Sequence, residues 1–167
     1  MGKAYDKAEW HYGGNYPKGL PCENGGTHIG IFLAWAIVRN LEGELHHNSE
    51  RKEQALKKMR DRVITGRDFL FAQCGEALIN HHLNDEGNRF AEWYYKPNKE
   101  GRPNYFADYC CVLTNNSHDS AYRVDDTWEN YDRIASIIDR RFDEWKRGIK
   151  PLPLGTPPSR KSWWKFC

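Results

Sequence analysis

What this 167-residue sequence lacks narrows its class before any motif is sought. It has no long hydrophobic run: mean hydropathy is −0.88, and the longest apolar stretch, Ile29–Val38, covers ten residues. A helix crossing a bilayer needs about 20. It also lacks a charge excess, because 25 Lys and Arg stand against 23 Asp and Glu. The average field therefore draws in neither nucleic acid nor membrane. Cysteine is sparse and badly spaced for metal or disulfide frameworks: five residues at 22, 74, 110, 111 and 167, two of them adjacent, and no CxxC. Reduced thiols of a cytosolic protein are the expectation. The opening "MGKAYDKAEW" has no apolar core of the kind a secretory signal needs. Asp6 stands where an N-myristoylation signal requires Ser or Thr. A cytoplasmic location follows as an expectation.

What the sequence has is aromatic side chains, 14% of the total with seven Trp. They are costly to leave in water, so most must lie in a core or against a partner. Residues 1–26 are rich in Gly, Pro and aromatics and read as an ordered loop region. "THIGIFLAWAIVRNL" follows, with Thr27 as prospective N-cap and a segment apolar on every face, the signature of a central buried helix. Gly30 and Ala34, four apart, would let a neighbouring element approach its backbone closely.

Further helices are expected at three places. Ser49 would cap one with an Ala55, Leu56, Met59, Val63 stripe, supported by a Glu53–Lys57 pair; Thr65 and Asp68 would start a short one; Asn84 would cap "DEGNRFAEWYY". "EALINHHL" reads as a helical turn or two and "YFADYCCVL" as a helix. The clearest element is "DDTWENYDRIASIIDRRFDEWKRG", with Asp126 and Glu129 in capping-box spacing and Gly148 as terminator. Its apolar positions Tyr131, Ile134, Ala135, Ile138, Phe142 and Trp145 form one face. The expected fold is mainly α: one domain over 1–148, five to six helices around a central apolar helix. Residues 149–167 would be an extended, Pro-rich tail whose Trp163 and Trp164 dock on the body or on a partner.

The search for chemistry returns little. HExxH, HxH and HxxxH are absent, and adjacent pairs such as His46-His47 and His81-His82 point too far apart to chelate one ion. A site could still assemble from His11, His28 and one member of each pair. The carboxylate doublets Asp85-Glu86 and Asp125-Asp126 fall at helix starts, where they complement the dipole. No GxSxG, GxGxxG or P-loop is present. "ERKEQALKKMRDR" is basic but interrupted by acids, so it reads as a solvated face. No catalytic residue, metal or cofactor is assigned. Trp10, His11, Tyr12, Tyr16 and His28 are the candidates for an interface or pocket. In the structural reading the three aromatics fold over helix 28–41 and the two histidines bond backbone groups beneath them.

"YDKAEWHYGG", "NGGTHIGIFLAWAI", "LNDEGNRFAEWYY", "YFADY" and "DTWENYDRIASIIDRRFDEWK" resemble, over roughly residues 5–147, a bacterial family of small uncharacterised proteins carrying a domain of unknown function. The family is associated with polymorphic-toxin and type VI secretion loci as candidate immunity proteins. The resemblance implies a non-catalytic cytosolic antitoxin that binds a cognate toxin protein and blocks its active site. Two alternatives stand beside it: a small metal- or ligand-binding enzyme with a pocket under the N-terminal aromatic loop, and a scaffold docking through its tail.

Overall fold

Helix α1, Thr27–Val38, lies at the centre of the molecule, with every residue from 27 to 37 buried. The computed structural model describes residues 2–12, 16–97, 102–114 and 120–155. Around α1 stand α2 (Glu50–Arg60), α3 (Gly66–Gln73), α4 (Asp85–Tyr94), α5 (Tyr105–Leu113) and α6 (Trp128–Lys146), the six α-helices among the described residues. The mainly α expectation is met. Among the described residues, no helix is long and apolar enough to cross a membrane.

The closest helix contact is between α1 and the start of α3, at the small residues the sequence placed on α1. A Cβ on Gly30 would lie 2.4 Å from Arg67 N, and one on Gly66 would lie 2.1 Å from Gly30 O. Two glycines facing each other let the backbones touch, and Phe69 and Leu70 of α3 join the α1 residues in one buried core.

Helix starts follow local chemistry. Ser49, Thr65, Asn84, Asn104 and Thr127 each accept a hydrogen bond from a backbone N–H in the first turn, and Thr65 with Asp68 closes a full capping box. On α6, Tyr131, Ile134, Ala135 and Ile138 are buried, and Gly148 ends the segment with a φ of 65°. Arg141 shares that inner face, wholly buried. Its Nε donates to Asp108 Oδ2 at 2.7 Å and its Nη1 to Glu144 Oε2 at 2.9 Å, while Tyr94 OH also donates to Asp108 Oδ2 at 2.9 Å. One buried ion pair thus links α4, α5 and α6.

Several sequence expectations are corrected. Within 1–26, Ala4–Lys7 forms a strand, β1, paired antiparallel with β2, Ala77–Ile79. The "EALINHHL" segment is therefore strand plus a 3-10 turn, Asn80–His82, rather than helix. Gly75 and Glu76, with φ of 58° and 60°, turn the chain out of α3 into that strand. Thr27 does not cap α1; it is the helix's first residue, and its hydroxyl accepts from Arg67 Nη1 at 3.2 Å. Asp126 does not cap α6, because it turns inward to accept a hydrogen bond from the Thr65 hydroxyl and pair with Arg67 Nε at 3.1 Å; Thr127 caps instead. Val63 falls beyond the end of α2 and is 68% exposed. Glu53 pairs with His47, at 2.7 Å, and Lys57 with Asp61, so the expected Glu53–Lys57 pair does not form. The tail runs without helix through Gly155, with Pro151 buried; Trp163 and Trp164 lie outside the described residues.

Candidate functional site

Strand β1 carries Asp6 to the amino-terminal end of α1, and the 3-10 turn Ala8–His11 brings His11 back over it. His28, in the first turn of α1, reaches the same carboxylate from below. His11 Nε2 lies 2.9 Å from Asp6 Oδ1, and His28 Nε2 lies 3.1 Å from Oδ2. Tyr95 OH donates to Oδ2 at 2.8 Å, and the Lys7 backbone N–H to Oδ1 at 2.8 Å. Tyr105 OH fixes the helix end by donating to His28 O at 2.7 Å.

The protonation pattern follows from this geometry. Burial works to raise the Asp6 carboxyl, but the hydrogen bonds from His11 and His28 outweigh it and hold it well below the ordinary carboxylate range. An ionised carboxylate only accepts, so both Nε2 atoms carry protons. Burial lowers His28 against the pull of Asp6, leaving its ring neutral. The other His11 nitrogen, Nδ1, lies 3.0 Å from Tyr122 OH. Burial raises Tyr122, so its phenol keeps its proton. The result is a chain Asp6–His11–Tyr122, a carboxylate orienting an imidazole that faces a hydroxyl.

This chain borders a cavity of about 280 Å³ whose walls include Tyr5, Tyr95, Phe106 and Tyr122, with Lys96 and Asn104 adding polar groups. An apolar hollow with a few converging polar atoms is the usual form of a small-ligand site. Asp6, His11 and His28 also have the composition of a two-histidine, one-carboxylate metal set, with ligand atoms within 4.8 Å of one another. A wider open groove of about 1000 Å³ runs between Gly43–Asn48 and His81–Arg89, lined by Glu44, Asp85, Glu86 and Arg89.

Of the described sequence candidates, the structure brings His11 and His28 together on Asp6, while Trp10, Tyr12 and Tyr16 make no hydrogen bond to that carboxylate. His11 and His28 bond the Asp6 side chain rather than backbone groups. Trp10 does not cover α1; it is 58% exposed, with Lys7 Nζ 5.7 Å from its ring centroid. Tyr12 lies against Gly25, and Tyr16 stacks obliquely on Tyr122 at 5.0 Å while its hydroxyl donates to Pro21 O at 2.6 Å. The adjacent His pairs split as their spacing requires: His46 and His82 turn inward, His47 and His81 outward. They join each other rather than His11 and His28.

Sequence reasoning missed Asp6, Tyr95, Phe106 and Tyr122. Tyr122 sits beside a segment with no periodicity, and only tertiary folding delivers the others to one place.

No curated protein and no solved structure matches the chain. One family model does, over residues 4–124, which takes in Asp6, His11, His28, Tyr95, Phe106 and Tyr122 and stops before α6. Its description assigns no activity and makes no link to toxin immunity or secretion. The chain belongs to the family defined by this domain of unknown function, DUF7832.

Proposed function

We propose that this protein binds a small, largely apolar ligand in the Asp6–His11–His28 pocket and exchanges a proton with it through Tyr122 and His11. The carrying observation is the Asp6–His11–Tyr122 chain, with links of 2.9 and 3.0 Å, set in the wall of an aromatic cavity. At about 280 Å³ the space falls just below the 300–1000 Å³ of sites for drug-sized molecules. A single ring with one polar substituent is the size that fits. Its face would rest on Phe106 and its polar atom would meet Tyr122 OH. The test is ligand-observed NMR with phenol, imidazole, benzoate and nicotinamide as probes. Binding to the wild type should disappear in Phe106→Trp, which fills the hollow, and weaken in His11→Ala, both with native circular dichroism. Absence of binding by every probe, or equal binding to the variants, refutes the reading.

A second reading, neutralisation of a cognate toxin protein by covering its active site, draws on Trp10. A Trp left 58% exposed is the residue type that anchors protein interfaces. Lys7 beside it would be a rim charge. Co-expression with a toxin encoded next to this gene tests it: Trp10→Ala should fold normally and lose protection. Equal killing with and without the wild-type protein sinks the idea.

A further inference from the structure

Away from that pocket, His46, Cys74 and His82 meet inside the core. They come from three segments: the 3-10 turn Glu44–His46, the residue that ends α3, and the 3-10 turn that follows β2. Gly43 N–H donates to His82 O at 3.0 Å, holding the two turns together, and the His46 and His82 ring centroids are 5.2 Å apart. One ligand atom from each of the three residues lies within 4.8 Å of the other two.

The second observation is His46 itself. It is 1% exposed, and neither ring nitrogen has a hydrogen-bond partner among the described residues. Buried polar atoms are nearly always partnered, and an exception calls for an explanation. A core histidine kept for packing would be replaced by an apolar side chain at less cost, since an unsatisfied buried group is unfavourable by about 1–3 kcal/mol. Two inward imidazoles and a thiol side by side are a soft-to-borderline donor set, matching zinc and copper rather than calcium or magnesium.

We propose that His46, Cys74 and His82 form a buried structural site for a borderline-soft transition-metal ion, with zinc as the ion to try first. The ion takes a lone pair from each imidazole and the thiolate of Cys74, whose proton leaves to solvent on binding. Ile79 N–H donates to His82 Nδ1 at 3.3 Å, so the competing bond at that ring is a long one. The site ties the end of α3 to the turns on either side of the Gly43–His82 bond. It is separate from the Asp6 pocket and does not rest on the function proposed for it.

The experiment uses full-length protein with Cys22, which is exposed, changed to Ser, stripped by a chelator and then titrated with cobalt(II) and with zinc. The expected result is one equivalent of cobalt with a thiolate-to-metal absorption band, displaced by zinc, and a melting temperature that rises with zinc concentration. Magnesium at the same concentration should do neither. Cys74→Ser should lose the band and bind zinc more weakly by more than the roughly 10–100-fold typical of losing an outer-shell partner. Asp6→Asn should retain the band. A natively folded protein that shows no such band overturns the proposal. So does a band that survives Cys74→Ser, or one that vanishes in folded Asp6→Asn.

Discussion

Replacing Gly30 by Ala sets two opposed effects against each other, and the structure decides the sign. In a helix interior Gly→Ala ordinarily stabilises by about 1 kcal/mol, because Ala loses less backbone freedom on folding. Gly30 is the fourth residue of α1, and the added methyl would stand 2.4, 2.5 and 2.6 Å from Arg67 N, Arg67 Cα and Gly66 C. All three are backbone atoms, so no side chain can swing aside. Normal contact requires α3 to retreat by about 1 Å, and a gap of that size forfeits a quarter to a half of the dispersion energy of the atoms it separates. Leu70 and Phe69, fully buried on α3, are among the groups that would lose contact. Overpacking of this kind costs about 1–3 kcal/mol and at times more. With backbone on both sides the upper end applies, leaving a net loss of about 2 kcal/mol after the propensity gain. Urea unfolding followed by circular dichroism measures it, and the melting point should drop by about 4–8 °C. Gly66→Ala should behave alike, and the double variant should cost less than the sum, since either methyl already parts the helices. A Gly30→Ala protein as stable as the wild type would refute the packing argument.

Three further outcomes follow. Asp108→Ala should destabilise by about 3–5 kcal/mol by leaving the buried Arg141 with Glu144 as its one remaining carboxylate; Asp108→Leu with Arg141→Met should recover much of that in urea unfolding, and additive losses would contradict it. Thr127→Ala should cost about 1 kcal/mol as the true cap of α6, whereas Asp126→Asn should act through its Thr65 and Arg67 contacts, so adding Thr65→Val to Asp126→Asn should cost less than the two singles summed. For the metal-free protein at pH 8, iodoacetamide should label exposed Cys22 quickly and spare Cys74, whose thiol burial pushes up to about 12; mass spectrometry of early digests reads this, and equal labelling would deny the burial.

Local chemistry made much of the fold legible. Ser49, Thr65 and Asn84 cap where a short oxygen-bearing side chain precedes an apolar stripe, and an unbroken apolar run such as 29–38 can only be interior. The small residues Gly30 and Ala34 announced a close neighbour, though not which one. The two short strands escaped because four and three residues carry almost no periodicity, and their pairing is a property of the assembled chain. The site was half visible for the same reason. His11 and His28 stand out in a sequence, but an Asp at position 6 looks like any surface carboxylate until β1 swings it over α1. Arg141 was hidden more thoroughly, since a guanidinium on the apolar face of α6 is credible only once Asp108 and Glu144 are seen around it.

Pairing of β1 with residues 77–79 has a consequence for how the protein comes into being. Asp6 and His11 leave the ribosome well before Tyr95 and Tyr122, so a partly synthesised chain owns the floor of the cavity without its walls. Until residue 79 has emerged, the first strand carries bare edge groups open to any stray extended segment. The hollow can therefore exist only in a chain that has grown past Tyr122 and folded back onto its own beginning.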